Sequence, residues 1–184
     1  VLNEEVYYPH TQEWEGPLKP EDLTLCPGVM PSLKRLLSAD FALILVSNQG
    51  AYAKGKVDLE TLIAVHDVFE EQLRQEKIGF LEFCYSYSHP YGSRPGFSGA
   101  SLERKPGIYF LVTAAARHHL DLSQSWMVGD RDTDIICGKD AGVRTVLIAN
   151  PHAGEKAGYS TPNFQAQGIS QAVDIILGAS CEDT

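Results

Sequence analysis

The run F-A-L-I-L-V at residues 41–46 is apolar without a break, as a strand buried on both faces of a parallel sheet should be. Ahead of it, Val29, Leu33, Leu36 and Leu37 recur at helical spacing behind Pro27, a residue suited to a first helical turn. Behind it, Leu62, Val65, Phe69 and Leu73 share one face of a long helix that Asp58 is placed to cap. A second strand is predicted over residues 81–87, and a Gly/Ser/Pro-rich loop follows over 89–101. Pro106 opens a helix through Leu111, Val112 and Ala115. Next come a short strand at 125–128, a helix at 132–141 and a strand at 144–149. A closing helix, capped by Ser170, runs through Val173 and Ile176. Strands alternating with amphipathic helices predict a single α/β domain over residues 1–184. It has three layers, α/β/α and Rossmann-like, with a central parallel sheet covered on both faces.

Composition narrows the possible roles. Hydrophobic residues make up 43% of the 184 and charged residues 21%, ordinary for a globular chain with a substantial core. The formal net charge is −9, from 15 Lys+Arg against 24 Asp+Glu, which argues against nucleic acid as a partner. Cys26, Cys84, Cys137 and Cys181 are scattered with no C-x-x-C, a pattern of buried reduced thiols rather than a disulfide framework. The 41–46 run is too short to span a bilayer. The expectation is a cytoplasmic, soluble protein with no membrane partner.

In such folds, sites lie just beyond the carboxyl ends of strands, and three stretches fall there: Ser47-Asn48-Gln49, Arg104-Lys105-Pro106, and the G-D-R-D-T-D of residues 129–134. Asp132 and Asp134 suit the first turn of a helix, where acids complement the macrodipole. Asp130 lies before that helix beside a glycine, and a strand-end carboxylate is a good ligand for a hard cation such as Mg²⁺. Cap and ligand both remain open for this stretch on its residues alone. Ser47-Asn48 reads either as a turn or as a hydroxyl, an amide and backbone N–H groups gripping phosphate. Lys105 is either a surface charge or, held by Arg104 and Pro106, a cation turned inward.

Taken in order, these residues resemble the haloacid dehalogenase (HAD) superfamily of phosphohydrolases, whose first strand ends in Asp-x-Asp. Ser47, Lys105, and Asp130 with Asp134 match its second, third and fourth motifs. S-N-Q-G-A-Y-A-K-G-K, R-K-P and G-D-R-D-T-D-I further resemble the branch that holds heptose bisphosphate and histidinol-phosphate phosphatases. The resemblance implies a HAD-like fold without a large cap and hydrolysis of a small phosphomonoester, a sugar phosphate foremost. The first Asp attacks phosphorus to give an aspartyl-phosphate, and the second acts as general acid and base. It further implies Mg²⁺ held by Asp130, and Asp134 orienting Lys105 or a metal-bound water. Ser47 and Lys105 neutralise phosphoryl charge. Asn48, Arg104 and Asn3 are implied as contacts to phosphate or substrate. A monomer is expected.

Two departures stand out. The branch's Cys-x-His and Cys-x-Cys zinc ligands fall here on Ser86, Ser88, Ser101 and Glu103, and hydroxyls are poor zinc ligands, so no zinc is expected. No Asp-x-Asp precedes V-L-N-E-E at residues 1–5. The catalytic strand is therefore expected upstream of Val1, and the chain as written is not expected to turn over. The competing readings are a phosphate-ligand-binding or scaffolding module without a nucleophile, and a phosphotransferase.

Overall fold

The computed structural model describes residues 1–152 and 160–182, with side chains through Ala179. An antiparallel hairpin, β1 (Val6–Tyr8) and β2 (Glu13–Glu15), leads through a single 3₁₀ turn to α1 (Val29–Ser38). Then follow β3 (Ile44–Asn48), α2 (Leu59–Gln75), β4 (Glu82–Ser86), α3 (Tyr109–His118) and β5 (Trp126–Gly129). The chain continues through α4 (Asp132–Asp140), β6 (Arg144–Ile148), β7 (Phe164–Ala166) and α5 (Ile169–Glu182). β3 pairs with β4, β5 with β6, and β6 with β7, all parallel. Among the described residues there is no large cap.

Strand alternation sorts the helices into two layers. Val146 and Ile148 of β6 join one core with Val29, Leu33 and Leu36 of α1, Phe69 and Leu73 of α2, and Ala172, Val173 and Ile176 of α5. Trp126 and Val128 of β5 pack against the same core. The intervening Met127 and Thr145 face α4, where a Cβ on Gly138 would come within 2.7 Å of the Thr145 methyl and 2.8 Å of Met127. The α/β expectation therefore holds, with helices on both faces of parallel strands.

The sheet differs from one continuous layer. β3–β4 and β5–β6–β7 are separate sheets, so among the described residues β3 and β5 are each paired on one side only. The Gln49 amide donates to the Ser86 carbonyl. By the alternation of a parallel ladder, the Leu45 and Ser47 backbone groups also face β4, while those of Val46 and Asn48 face away from it.

Local corrections have physical reasons. Asp58 sits at the start of α2 but caps nothing, because its carboxylate is drawn to Arg94 at 2.7 Å. Ser170 lies inside α5, and the Gln171 side chain instead reaches back to accept from the Gln167 amide. α3 begins at Tyr109 rather than at Pro106. Cys84 and Cys137 are buried free thiols whose pKa values burial pushes up to about 12 and about 11. Cys26 is a free thiol as well, whereas Cys181 lies outside the described side chains. No helix among the described residues is long and apolar enough to cross a membrane.

Candidate active site

The turn from β5 into α4 is built on Gly129. A Cβ there would lie 2.1 Å from that of Asp134, so only glycine lets this carboxylate fold back over the strand end. Asp134 Oδ2 accepts from the Asp130 and Arg131 amides at 3.1 and 3.0 Å, satisfying N–H groups that a helix start leaves open. Its Oδ1 lies 2.8 Å from Lys105 Nζ; the Asp134 side chain is buried and that of Lys105 partly so, with 6% and 11% exposure. One side chain thus caps the start of α4 and pairs with Lys105. Lys105 Nζ also donates to the Val46 carbonyl, one of the backbone groups on the side of β3 that faces away from β4.

Asn48 holds the same lysine by its main chain. Its Oδ1 accepts from the Lys105 amide and its Nδ2 donates to the Lys105 carbonyl, both at 3.0 Å. Asn48 thereby positions Lys105 while still lining the cleft. Ser47 lies on β3, its hydroxyl 3.4 Å from Gln49 Nε2. Arg104 donates to the Ser88 carbonyl at 2.9 Å, and Asn3 donates to the Glu4 carbonyl at 2.8 Å.

All seven predicted site residues line one cleft of about 800 Å³. Its floor includes Leu45, Leu62, Val65 and Phe69, and the N-terminal Val1 and Leu2 also border it. Asp130 Oδ2 accepts from Asn150 Nδ2 at 2.6 Å and lies 3.9 Å from Arg131 Nε. His89, Lys54 and Arg104 line the cleft too. Burial, reinforced by Arg104, Lys54 and Lys56, holds the His89 pKa below its ordinary value, and its Nδ1 accepts from the Tyr91 amide.

Comparison with known proteins places this geometry. Residues 102–172 match the family model described as HAD-hydrolase-like. The chain is 34% identical to D-glycero-D-manno-heptose-1,7-bisphosphate 7-phosphatase of Thermosynechococcus vestitus, over 96% of this chain and 90% of that one. It is 30% identical to the enzyme of the same name from Chlorobaculum tepidum, over 76% and 75%. Among solved structures, D,D-heptose 1,7-bisphosphate phosphatase from B. bronchiseptica, complexed with magnesium and phosphate, superposes with a TM-score of 0.74. That match has 24% identity and covers 88% of each chain. The chain is a HAD-like hydrolase.

In this HAD-like hydrolase, the described residues bring together a partly buried ammonium, a carboxylate that fixes it, a strand-end hydroxyl and a second carboxylate, all bordering one cleft. Among them no group of three or more His, Cys, Asp or Glu is gathered for a metal. Asp130 supplies one carboxylate. That donor fits Mg²⁺, which takes one or two carboxylates and fills its remaining positions with water and phosphate oxygens. Sequence reasoning missed Asn150, Glu5 and Glu15. Glu5 pairs with Arg131, and Glu15 with Lys56 at 2.7 Å. Asn-Pro at 150–151 had a turn signature, but nothing in it signalled contact with Asp130.

Proposed function

We propose that this protein is a Mg²⁺-dependent phosphomonoester hydrolase acting on a small phosphorylated sugar, with heptose bisphosphate as the first substrate to try. The observation that carries the reading is Lys105 Nζ, held 2.8 Å from Asp134 in the cleft that Ser47 and Asp130 also line. A fixed, partly desolvated ammonium at a strand end suits charge building up on a transferring phosphoryl group. The names of the relatives support the sugar class.

On this reading Lys105 and Ser47 bind phosphoryl oxygens, Asp134 fixes the ammonium, and Asn48 holds the lysine main chain. Arg104 and Asn3 border the substrate. Asp130 would hold Mg²⁺, which when bound neutralises phosphoryl charge; no zinc is included. The attacking aspartate belongs to a strand N-terminal to Val1, lying along the free sides of β3 and β5.

The test is phosphate release from a phosphosugar panel by the full-length protein, with and without Mg²⁺. Release is expected only with the metal, and Lys105→Met should lower kcat by about 10²–10³-fold, as loss of an oxyanion donor does. Folded protein that binds phosphate and Mg²⁺ but releases nothing from any substrate would instead establish a binding module.

A further inference from the structure

Asn150 makes two contacts of different kinds. Its amide nitrogen donates to Asp130 Oδ2 at 2.6 Å, and its amide oxygen accepts from the His152 main-chain N–H at 2.8 Å. The second bond is the local turn that Asn side chains form with the backbone two residues on. It fixes the course of the chain just past β6. The His152 ring stacks on Trp14 of β2, with centroids 3.7 Å apart and planes 9° from parallel. Both rings border the cleft. An unbroken series of contacts therefore leads from Asp130, through Asn150 and His152, to the β1–β2 hairpin.

The consequence for Asp130 is directional. One oxygen, Oδ2, is engaged by the Asn150 amide at 2.6 Å, with Arg131 Nε 3.9 Å away. A carboxylate free to rotate would present either oxygen. Asn150, with Arg131 Nε 3.9 Å from the same oxygen, anchors Oδ2 and leaves Oδ1 as the oxygen open to the cleft. Hydrogen bonds that orient ligating carboxylates in this way raise metal affinity.

We infer that Asn150 is a positioning residue for Asp130, and that it ties the orientation of this carboxylate to the Trp14–His152 stack at the cleft. The inference rests on the proposal that Asp130 holds Mg²⁺, and its closing experiment separates the two. In the full-length protein, Mg²⁺ binding is measured by calorimetry in inorganic phosphate, with Trp emission followed in parallel. Wild type should bind Mg²⁺ and change its Trp14 emission, assigned by its loss in Trp14→Phe. Asn150→Ala, folded by circular dichroism, should bind Mg²⁺ about 10-fold more weakly or worse and lose the emission response. In turnover assays its requirement for Mg²⁺ should rise more than its kcat at saturating metal falls.

If Asn150→Ala does not fold, His152→Ala serves, because it keeps the main-chain N–H that Asn150 accepts and removes only the ring. It should abolish the emission response while Mg²⁺ still binds. Equal Mg²⁺ affinity in wild type and folded Asn150→Ala overturns this inference alone, as does wild-type Trp14 emission that ignores Mg²⁺. Failure of wild type to bind Mg²⁺ overturns the inference and the proposed function together.

Discussion

Gly129 and Asp134 show how a single hydrogen in place of a methyl decides the site. Asp134 caps the start of α4 with one oxygen and fixes Lys105 with the other. That double use requires its Cβ to sit where a side chain on residue 129 would be. Gly129→Ala should therefore move Asp134 off the strand end and release Lys105 from its carboxylate. Overpacking alone costs about 1–3 kcal/mol. Separating a buried ion pair leaves an uncompensated charge, for which loss of one partner costs about 3–5 kcal/mol. A lowered urea midpoint together with lost phosphate release is the expected outcome. An unchanged midpoint would mean that the turn has room the geometry denies.

At the level of elements, apolar patterning located four of the helices and the four longer parallel strands described, while the acidic 132–134 stretch marked the start of α4. The energy that orders those segments comes from burying a continuous face, and that face is written in the spacing of Leu33 and Leu36 or of Phe69 and Leu73. β1, β2 and β7 were not legible, because each has three residues, too few for an alternation to register. Their order comes from contacts distant in sequence, such as Tyr8 donating to Asp22 at 2.7 Å. The motif residues of the site were legible as types at strand ends, whereas Asn48 on Lys105 and Asn150 on Asp130 were not. A side-chain amide facing a partner 57 or 20 residues away leaves no local signature. The loop after β4 carries a pH consequence. His89 has its pKa lowered by burial, then by Arg104, Lys54 and Lys56. As pH falls through about 6.5, the ordinary histidine value, the unfolded chain takes up the proton before the folded one. Stability then falls with pH down to the folded pKa. His89→Gln should lose less urea resistance than wild type between pH 7 and pH 5.5. Parallel losses in the two proteins would remove His89 as a source of the acid sensitivity.

For the whole molecule, the arrangement of strands makes the sharpest demand. Backbone groups removed from water need partners, yet among the described residues β3 and β5 are each paired along one side only. On β3 the unpaired side belongs to Val46 and Asn48, and the Val46 carbonyl is met there by the Lys105 ammonium rather than by another strand. On β5 the Ser125 carbonyl accepts from the Arg144 amide. Alternation then turns the Met127 groups toward β6 and those of Trp126 and Val128 away from it. Amide hydrogen exchange resolves the two sides of one strand. In residues 1–184 the Leu45, Ser47 and Met127 amides should be protected, whereas Val46, Asn48 and Val128 exchange faster. In the full-length protein, a strand N-terminal to Val1 pairing along both inner edges should slow Val46 and Val128 to the rate of their neighbours. It would also give the Val46 carbonyl a backbone donor, freeing Lys105 Nζ to turn from that carbonyl toward a phosphate. Exchange at Val46 and Val128 that stays fast with the upstream residues present would leave the nucleophile without a strand to carry it, and the binding-module reading would then stand.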